Sequence, residues 1–249
     1  MLDRKTSKKP IDHIRKHLTI TMNAPISIKD EAYIQVLKQI KENPDEEKTK
    51  RGWNFLAILS ACYSPSLSLY YSILNYLLYE IKHNEDRNII RRANYIFIRL
   101  VKVFGKKRKN IPSNNEITHI ENMKTMMIPV YFFSESLVYM PVESYTTVKD
   151  LKTNLMKKMK FSQNKIQFYC LEEIKLKKDK DISEERFMIE SNILCDDFSL
   201  WEKQVNEGNK NNESIDFKIY LKILIYYQYS ENDIDTTTMT YIQVRLFIT

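Results

Sequence analysis
The chain has 249 residues, 43% of them apolar and 12% aromatic, enough to bury the core of one large domain or two ordinary ones. Its 39 Lys and Arg against 32 Asp and Glu leave a formal charge of +7, which suits an anionic partner or, more plainly, a solvated lysine-rich face. Only three glycines occur, Gly52, Gly105 and Gly208, each isolated, so neither a phosphate-cradling GxxxxGK[ST] loop nor a dinucleotide-binding GxGxxG turn can be written.

Residues 1–23 form a basic segment whose start, MLDRKTSKKP, leads into no apolar run and so reads as no secretory signal. His13 and His17 are four apart and would share a helix face, yet with no Cys or Asp ligand nearby they read as surface histidines. From about residue 28 to 121 the period is helical. IKDEAYIQVLKQIKENP carries Ile28, Ala32, Val36, Leu37 and Ile40 on one stripe and stops at Asn43-Pro44, because proline disfavours helix in the residue before it. A run of charges then bridges to GWNFLAILSACYSP, a second helix ended by Pro65. In a third, Leu67, Tyr70, Tyr71, Leu74, Leu77, Leu78 and Ile81 cover most of the circumference, which predicts a central position in a bundle. A fourth, about 88–104, turns Ile89, Ala93, Ile96, Phe97, Leu100, Val101 and Phe104 inward, with Arg91, Arg92, Arg99 and Lys102 off that stripe. Gly105 ends it as a residue able to take positive φ, and Lys106, Lys107, Arg108 and Lys109 follow where cations favour a helix C-terminus. Pro112-Ser113 with Glu116 resembles a further helix start.

Near residue 125 the period changes to two. MMIPVYFF and SLVYMPVESY read as strands joined by a Ser-Glu-Ser turn, and Thr147-Val148-Lys149-Asp150 opens a helix with Leu151, Leu155, Met156 and Met159 along one side. KIQFYCLEEI is another strand, Ile174 to Glu185 a charged loop, and FKIYLKILIYY a strong strand after RFMIESNILCDDFSLWEKQ. This order is that of a ubiquitin-like β-grasp, one helix on a mixed sheet. YSENDIDTTTMT reads as a polar loop and TYIQVRLFIT as a last alternating run.

The chemistry-bearing residues do not assemble into a reaction centre. Cys62, Cys170 and Cys195 are odd in number and form no CxxC pair, and no HExxH occurs, so a disulfide framework, a metal site and a cofactor all lack a motif. No nucleophile–base–acid set can be written from the Ser, Cys and His positions, so the chain reads as no enzyme. The longest apolar runs fall short of the roughly 20 residues of a membrane span, so any membrane would be met only through partners, and the reduced-cysteine reading makes the chain cytoplasmic. Trp53 and Trp201 read as core anchors.

One ordered set of motifs is more specific. Asp30, Glu31, Tyr33, Gln35, Lys38, Gln39, Asn43, Pro44, Arg51, Gly52, Trp53, Pro65, Ser66 and Leu69, followed by Arg108, Pro112, Ser113, Glu116 and Ile117, resemble the second half of a myosin-tail-homology-4 domain. VYFFSESLVYMPVESYTTVKDL, and CDDFSLWEK with Asp196 or Asp197, Trp201 and Glu202, are similar to the first, ubiquitin-like lobe of a FERM domain. The resemblance implies an α+β multidomain chain: an abbreviated all-α helical bundle over 24–124, a β-grasp lobe over 125–229, and a linker beginning a second FERM lobe over 230–249. SKKPIDHI, within 1–23, resembles the start of the helical module, with only about ten residues where the family inserts further helices. A motor and the remaining FERM lobes are absent from the 249 residues, which makes the chain a tail fragment or a short adaptor. Such modules occur in tails of unconventional myosins and some kinesins. The resemblance implies cytoskeleton-associated binding to microtubules, actin-linked motors or cargo protein tails, through a basic helical surface of Arg91, Arg92, Arg99, Lys102, Lys106, Lys107, Arg108 and Lys109 together with the FERM lobe, which would grip cargo. From the residues alone, Asp30 and Glu31 are expected at a helix N-terminus or paired to Arg51, and a bundle lacking helices is expected to leave apolar surface exposed. A rival reading, single-stranded nucleic-acid binding by basic and aromatic surface, has no RNP, KH or OB signature behind it, so no nucleic acid is expected.

Overall fold
In the computed structural model, residues 9–41, 43–132, 136–161, 163–177 and 182–224 are described. The expected polar loop from residue 229 and the run TYIQVRLFIT therefore lie outside the described residues, as do Ser134 and Glu135 of the first turn. The chain divides into two compact units that meet in sequence at Thr125 and Met126.

Among the described residues of the first unit there are six helices: α1 (Pro10–Thr21), α2 (Ile26–Ile40), α3 (Glu46–Cys62), α4 (Leu67–His83), α5 (Arg87–Val103) and α6 (Asn114–Glu121). Proline at the first position of α1 suits a helix start, because that N–H has no intrahelical acceptor anyway. The charged run before Gly52 is not a surface bridge as expected. Asp45 caps α3 by accepting the Lys48 N–H at 3.0 Å, and the helix is under way from Glu46, with Glu46 and Glu47 favoured in its first turn. Gly52 therefore lies inside a helix. A Cβ there would stand 2.8 Å from Cγ1 of Ile40, so the glycine is what lets α3 approach α2.

The central helix is α3 and not α4. Gly52, Trp53 and every residue from Leu56 to Cys62 are buried, and α3 packs against α2, α5 and α6. It also reaches α4 through Trp53, stacked on Tyr76 with centroids 6.2 Å apart, and α1 through Phe55, met edge-on by His17 at 5.0 Å. His17 is thus half-buried, and burial lowers its pKa from the ordinary imidazole value. In α4 only Tyr70, Ile73 and Leu77 are buried, and Leu67, Tyr71, Leu78 and Tyr79 are exposed. Three further inward assignments fail: Ile28 on α2, Val101 on α5 and Phe104 just after α5 are exposed, whereas Tyr33 and Val103 are buried.

The described residues of the second unit form a five-stranded mixed sheet in the order β2-β1-β5-β3-β4: β1 (Met126–Tyr131), β2 (Leu137–Val142), β3 (Tyr169–Leu176), β4 (Ile182–Phe187) and β5 (Asp216–Ile223). β1 and β2 form an antiparallel hairpin closed by Phe132 N–H on the Ser136 carbonyl. β1 runs parallel to β5 only from Val130, just past Pro129, whose nitrogen cannot donate. The helix α7 (Val148–Lys158) opens where the sequence predicts, and Thr147 and Asp150 form a capping box at its start. Ile174 to Glu185 is not one loop, because β3 and β4 run through most of it as an antiparallel pair. A second helix, α8 (Leu194–Lys210), joins α7, where one helix was expected. Val130, Leu151, Leu155, Met156, Leu171, Leu194 and Leu221 are among the residues of the core.

Candidate partner-binding surface
The eight cations of the expected basic surface separate into two sets. Arg91, Lys102, Lys107 and Lys109 are exposed, with Lys106 half-buried beside them. Gly105 takes φ +76° as expected, and the turn it makes sends the chain from α5 into this run. Arg92 is half-buried and donates to Asn54 on α3. Arg99 and Arg108 are not surface residues. Arg99 is 4% exposed, with its guanidinium 3.2 Å from the centroid of the Tyr95 ring, because its position on α5 faces the core side.

Arg108 is drawn inside by a carboxylate. Its Nη1 donates to Oε1 of Glu116 at 2.7 Å and Nη2 to Oε2 at 3.1 Å, and both side chains are 1% exposed. Ser113 caps α6 by accepting the Glu116 N–H at 3.1 Å, so one residue is held by both its backbone and its side chain. The spaced motif Arg108…Ser113…Glu116 is therefore a clasp between the basic turn and α6.

Several of the other signature residues make contacts within the helical unit. Asp30 sits in the second turn of α2, and its Oδ1 accepts the backbone N–H of Ser66 at 2.7 Å, at the start of α4 after Pro65. Glu31 accepts from Gln35 one turn on, and Arg51 is exposed, so the expected pairing of Arg51 with Asp30 or Glu31 does not form. Asn43 side-chain oxygen accepts the Asp45 N–H and its amide donates to the Gln39 carbonyl, which stitches α2 to α3 across Pro44. Tyr33, fully buried, donates to the Tyr63 carbonyl at 2.7 Å, and burial holds its hydroxyl well above the ordinary phenol pKa.

In the second unit, Trp201 stacks on Phe217 at 5.1 Å and donates to Oε2 of Glu173 at 2.7 Å. Arg186 reaches the same Glu173 oxygen at 2.8 Å and Asp197 at 3.1 Å. The paired Arg186 cation opposes the rise that burial gives the Asp197 pKa, and Glu173 raises that of Arg186. Lys222 links Glu172 and Glu185, and Lys152 meets Glu190 and the Tyr169 carbonyl. Burial pushes the Cys170 thiol up to about 11, which suits an unreactive cysteine. Among the described residues no group of three or more His, Cys, Asp or Glu is placed to hold a metal ion.

Comparison with known proteins follows the same division. Residues 15–119 match the family model of the MyTH4 domain, and residues 124–225 that of the RA like domain. The chain is a MyTH4 domain followed by an RA-like, FERM-like lobe. Myosin-I heavy chain of Dictyostelium discoideum is 23% identical over 197 residues, 73% of this chain and 8% of that protein. Myosin-VIIa of Drosophila melanogaster is 28% identical over 133 residues, 53% of this chain and 6% of that protein. Kinesin-like protein KIN-14E of Arabidopsis thaliana is 21% identical over 227 residues, 88% and 18% respectively. The chain thus spans less than a fifth of these relatives. Among solved structures, the MyTH4-FERM MF1 domain of Dictyostelium discoideum myosin VII (mutant 2) has a TM-score of 0.81 at 19% identity, covering 97% of this chain and 49% of that one. The C-terminal MyTH4-FERM domain of human myosin 7b, solved in complex with the harmonin-a PDZ3 domain, has a TM-score of 0.69 at 18% identity, covering 93% and 45%.

One feature of the MyTH4 domain was hidden from the sequence, and one of its lobe could have been read from it. The Arg108–Glu116 clasp is eight residues long and crosses a loop, so no helical spacing announces it. The carboxylates of Glu172 and Glu173 in the lobe did leave a signal: two adjacent acids inside the apolar strand FYCLEEIKL must point to opposite faces, and each needs a cation.

Proposed function
We propose that this chain is a non-enzymatic adaptor module of a motor-protein tail, cytoplasmic and cytoskeleton-associated, which grips acidic surfaces of microtubules or cargo proteins through its MyTH4 domain. The observation that carries the reading is the row of exposed cations Arg91, Lys102, Lys107 and Lys109 along α5 and the turn after it, on a helix that contains no Asp or Glu. Such a row raises both affinity and association rate for an acidic partner in a salt-dependent way. The motor tails among its relatives, and the harmonin complex of human myosin 7b, support a protein partner. Among the described residues no helix is long and apolar enough to cross a membrane. The aromatics of the nucleic-acid reading are engaged in packing: Tyr169 is buried, Phe217 stacks on Trp201, and Tyr220 lies against Tyr131. The test is microtubule co-sedimentation at low and raised salt with Lys102→Glu, Lys107→Glu and Lys109→Glu together. Arg108 is left intact, since reversing it would break the clasp. Loss of pelleting on reversal supports the reading, and undiminished pelleting at low salt removes microtubules as the acidic partner.

A further inference from the structure
The row of cations borders an apolar groove. The linker of only three residues, 84–86, folds α4 and α5 back on each other, and Tyr70 near the start of α4 lies 4.5 Å from Phe104 at the end of α5. Each helix turns one flank to α3: Tyr76 of α4 stacks on Trp53, and Arg92 of α5 binds Asn54. A rotation of about 100° per residue then places Leu67, Tyr71 and Leu78 on the far flank of α4, and Ile98 and Val101 on the far flank of α5. Those two flanks face the same outer groove, with Phe104 at its end, and all six side chains are exposed. Tyr71 is the most open, at 58%.

On the two helices the exposed charge beside the groove is cationic, while the linker between them exposes Glu85 and Asp86 at the Lys82 end. Lys102 and Lys107 stand at the Phe104 end, and Lys82 and Arg91 at the other, all exposed. The single acid of the two helices, Glu80, holds the Asn84 amide at the end of α4. A bare polyanion would use the cations and leave the apolar floor wet. A purely apolar helix would leave the cations unmatched. We propose that the α4–α5 groove takes an acidic amphipathic helix of a partner protein, with its apolar stripe on Tyr71, Val101 and Phe104 and its carboxylates on Lys102 and Lys107 at the Phe104 end. The inference rests on the acidic-partner reading above and names the chemistry of that partner.

The experiment uses the full 249-residue chain. Its probes are a fluorescein-labelled helical peptide of about five turns, with Leu at i, i+3, i+4 and i+7 and Glu elsewhere, a scrambled peptide of the same composition, and polyglutamate. Fluorescence anisotropy is expected to show the ordered peptide binding about 10-fold tighter than the scramble. Tyr71→Ser with Val101→Ser, both at exposed positions, is expected to lose about 10-fold while keeping the salt slope. Lys102→Glu with Lys107→Glu is expected to flatten that slope. Equal binding of the scramble or polyglutamate, or an apolar variant that binds as the parent does, overturns the proposal. Two further outcomes also overturn it: binding to phosphatidylserine vesicles in preference to the peptide, which would make the groove a membrane contact, and a dimer in sedimentation velocity that Tyr71→Ser dissociates, which would make it a self-association face. Microtubule pelleting separates this inference from the one above. Apolar variants that pellet normally but lose the peptide leave both standing. Charge variants that pellet normally yet lose the peptide remove only the microtubule reading.

Discussion

Arg108 and Glu116 provide a sharp test of how the MyTH4 domain is held together. Two charged hydrogen bonds, 2.7 and 3.1 Å long, join side chains that are each 1% exposed, so water cannot replace either partner. Arg108→Met leaves a carboxylate buried beside the capped end of α6, and Glu116→Leu leaves a buried guanidinium. Each should cost about 3–5 kcal/mol, a large part of the roughly 5–15 kcal/mol by which a domain is stable. The double variant removes both charges and fills the space with apolar atoms, so it should fall within about 1–2 kcal/mol of the parent. Each unit carries one tryptophan, Trp53 in the first and Trp201 in the second, and Trp201→Phe makes fluorescence report on the helical unit alone. In urea, with a slope of roughly 2 kcal/mol per molar, the single variants should shift the midpoint by about 1.5–2.5 M and the double by less than about 1 M. Single variants within about 1 kcal/mol of the parent, or a double as damaging as the sum of the singles, would refute the clasp.

Three further outcomes are expected. Gly52→Ala should gain up to about 1 kcal/mol of helix propensity yet lose more against Ile40, for a net loss of about 1–2 kcal/mol; a stabilised variant in the same urea titration would show that α2 yields freely. Asp30→Ala should cost about 1–2 kcal/mol, because the Ser66 N–H at the start of α4 loses its acceptor, and hydrogen exchange should quicken there before elsewhere. Burial depresses the His17 pKa, so the unfolded chain binds the extra proton first. The stability that neutral His17 lends is present above the ordinary value of 6.5 and is lost as pH falls below it towards the lower folded value. Thermal midpoints of the parent should therefore drop faster than those of His17→Gln on going from neutral to mildly acidic pH, and parallel curves would contradict the burial of that ring.

Much of this fold was legible because the signals were local. The change of period near residue 125, the helix start at Thr147 to Asp150 and the stop at Asn43-Pro44 each act within a few residues, and each is where the sequence puts it. What misled was a count of apolar residues around a helix. α4 has more of them than it buries, and Leu67, Tyr71 and Leu78 sit outside because nothing among the described residues covers them, whereas α3 is central despite its charged first turns. Rotation also decided the cations. Arg99 and Arg108 look like their neighbours in sequence, yet one lies on a ring and the other in a carboxylate, and only the identity of the facing residue distinguishes them from Lys102 and Lys107. Likewise β4 hid inside a charged segment because an edge strand exposed at every position needs no alternation.

The clasp has one more consequence, for the timing of entropy loss. Gly105 bends the chain on one side of the basic turn, and Arg108, fixed in the interior, anchors it on the other, so Lys106 and Lys107 stand on a backbone that folding has already ordered. Ordering a backbone residue costs about 1–2 kcal/mol, and here that cost falls on the folding of the helical unit rather than on the encounter with a partner. Loosening the clasp without unfolding the domain would then weaken binding although every lysine remained in place.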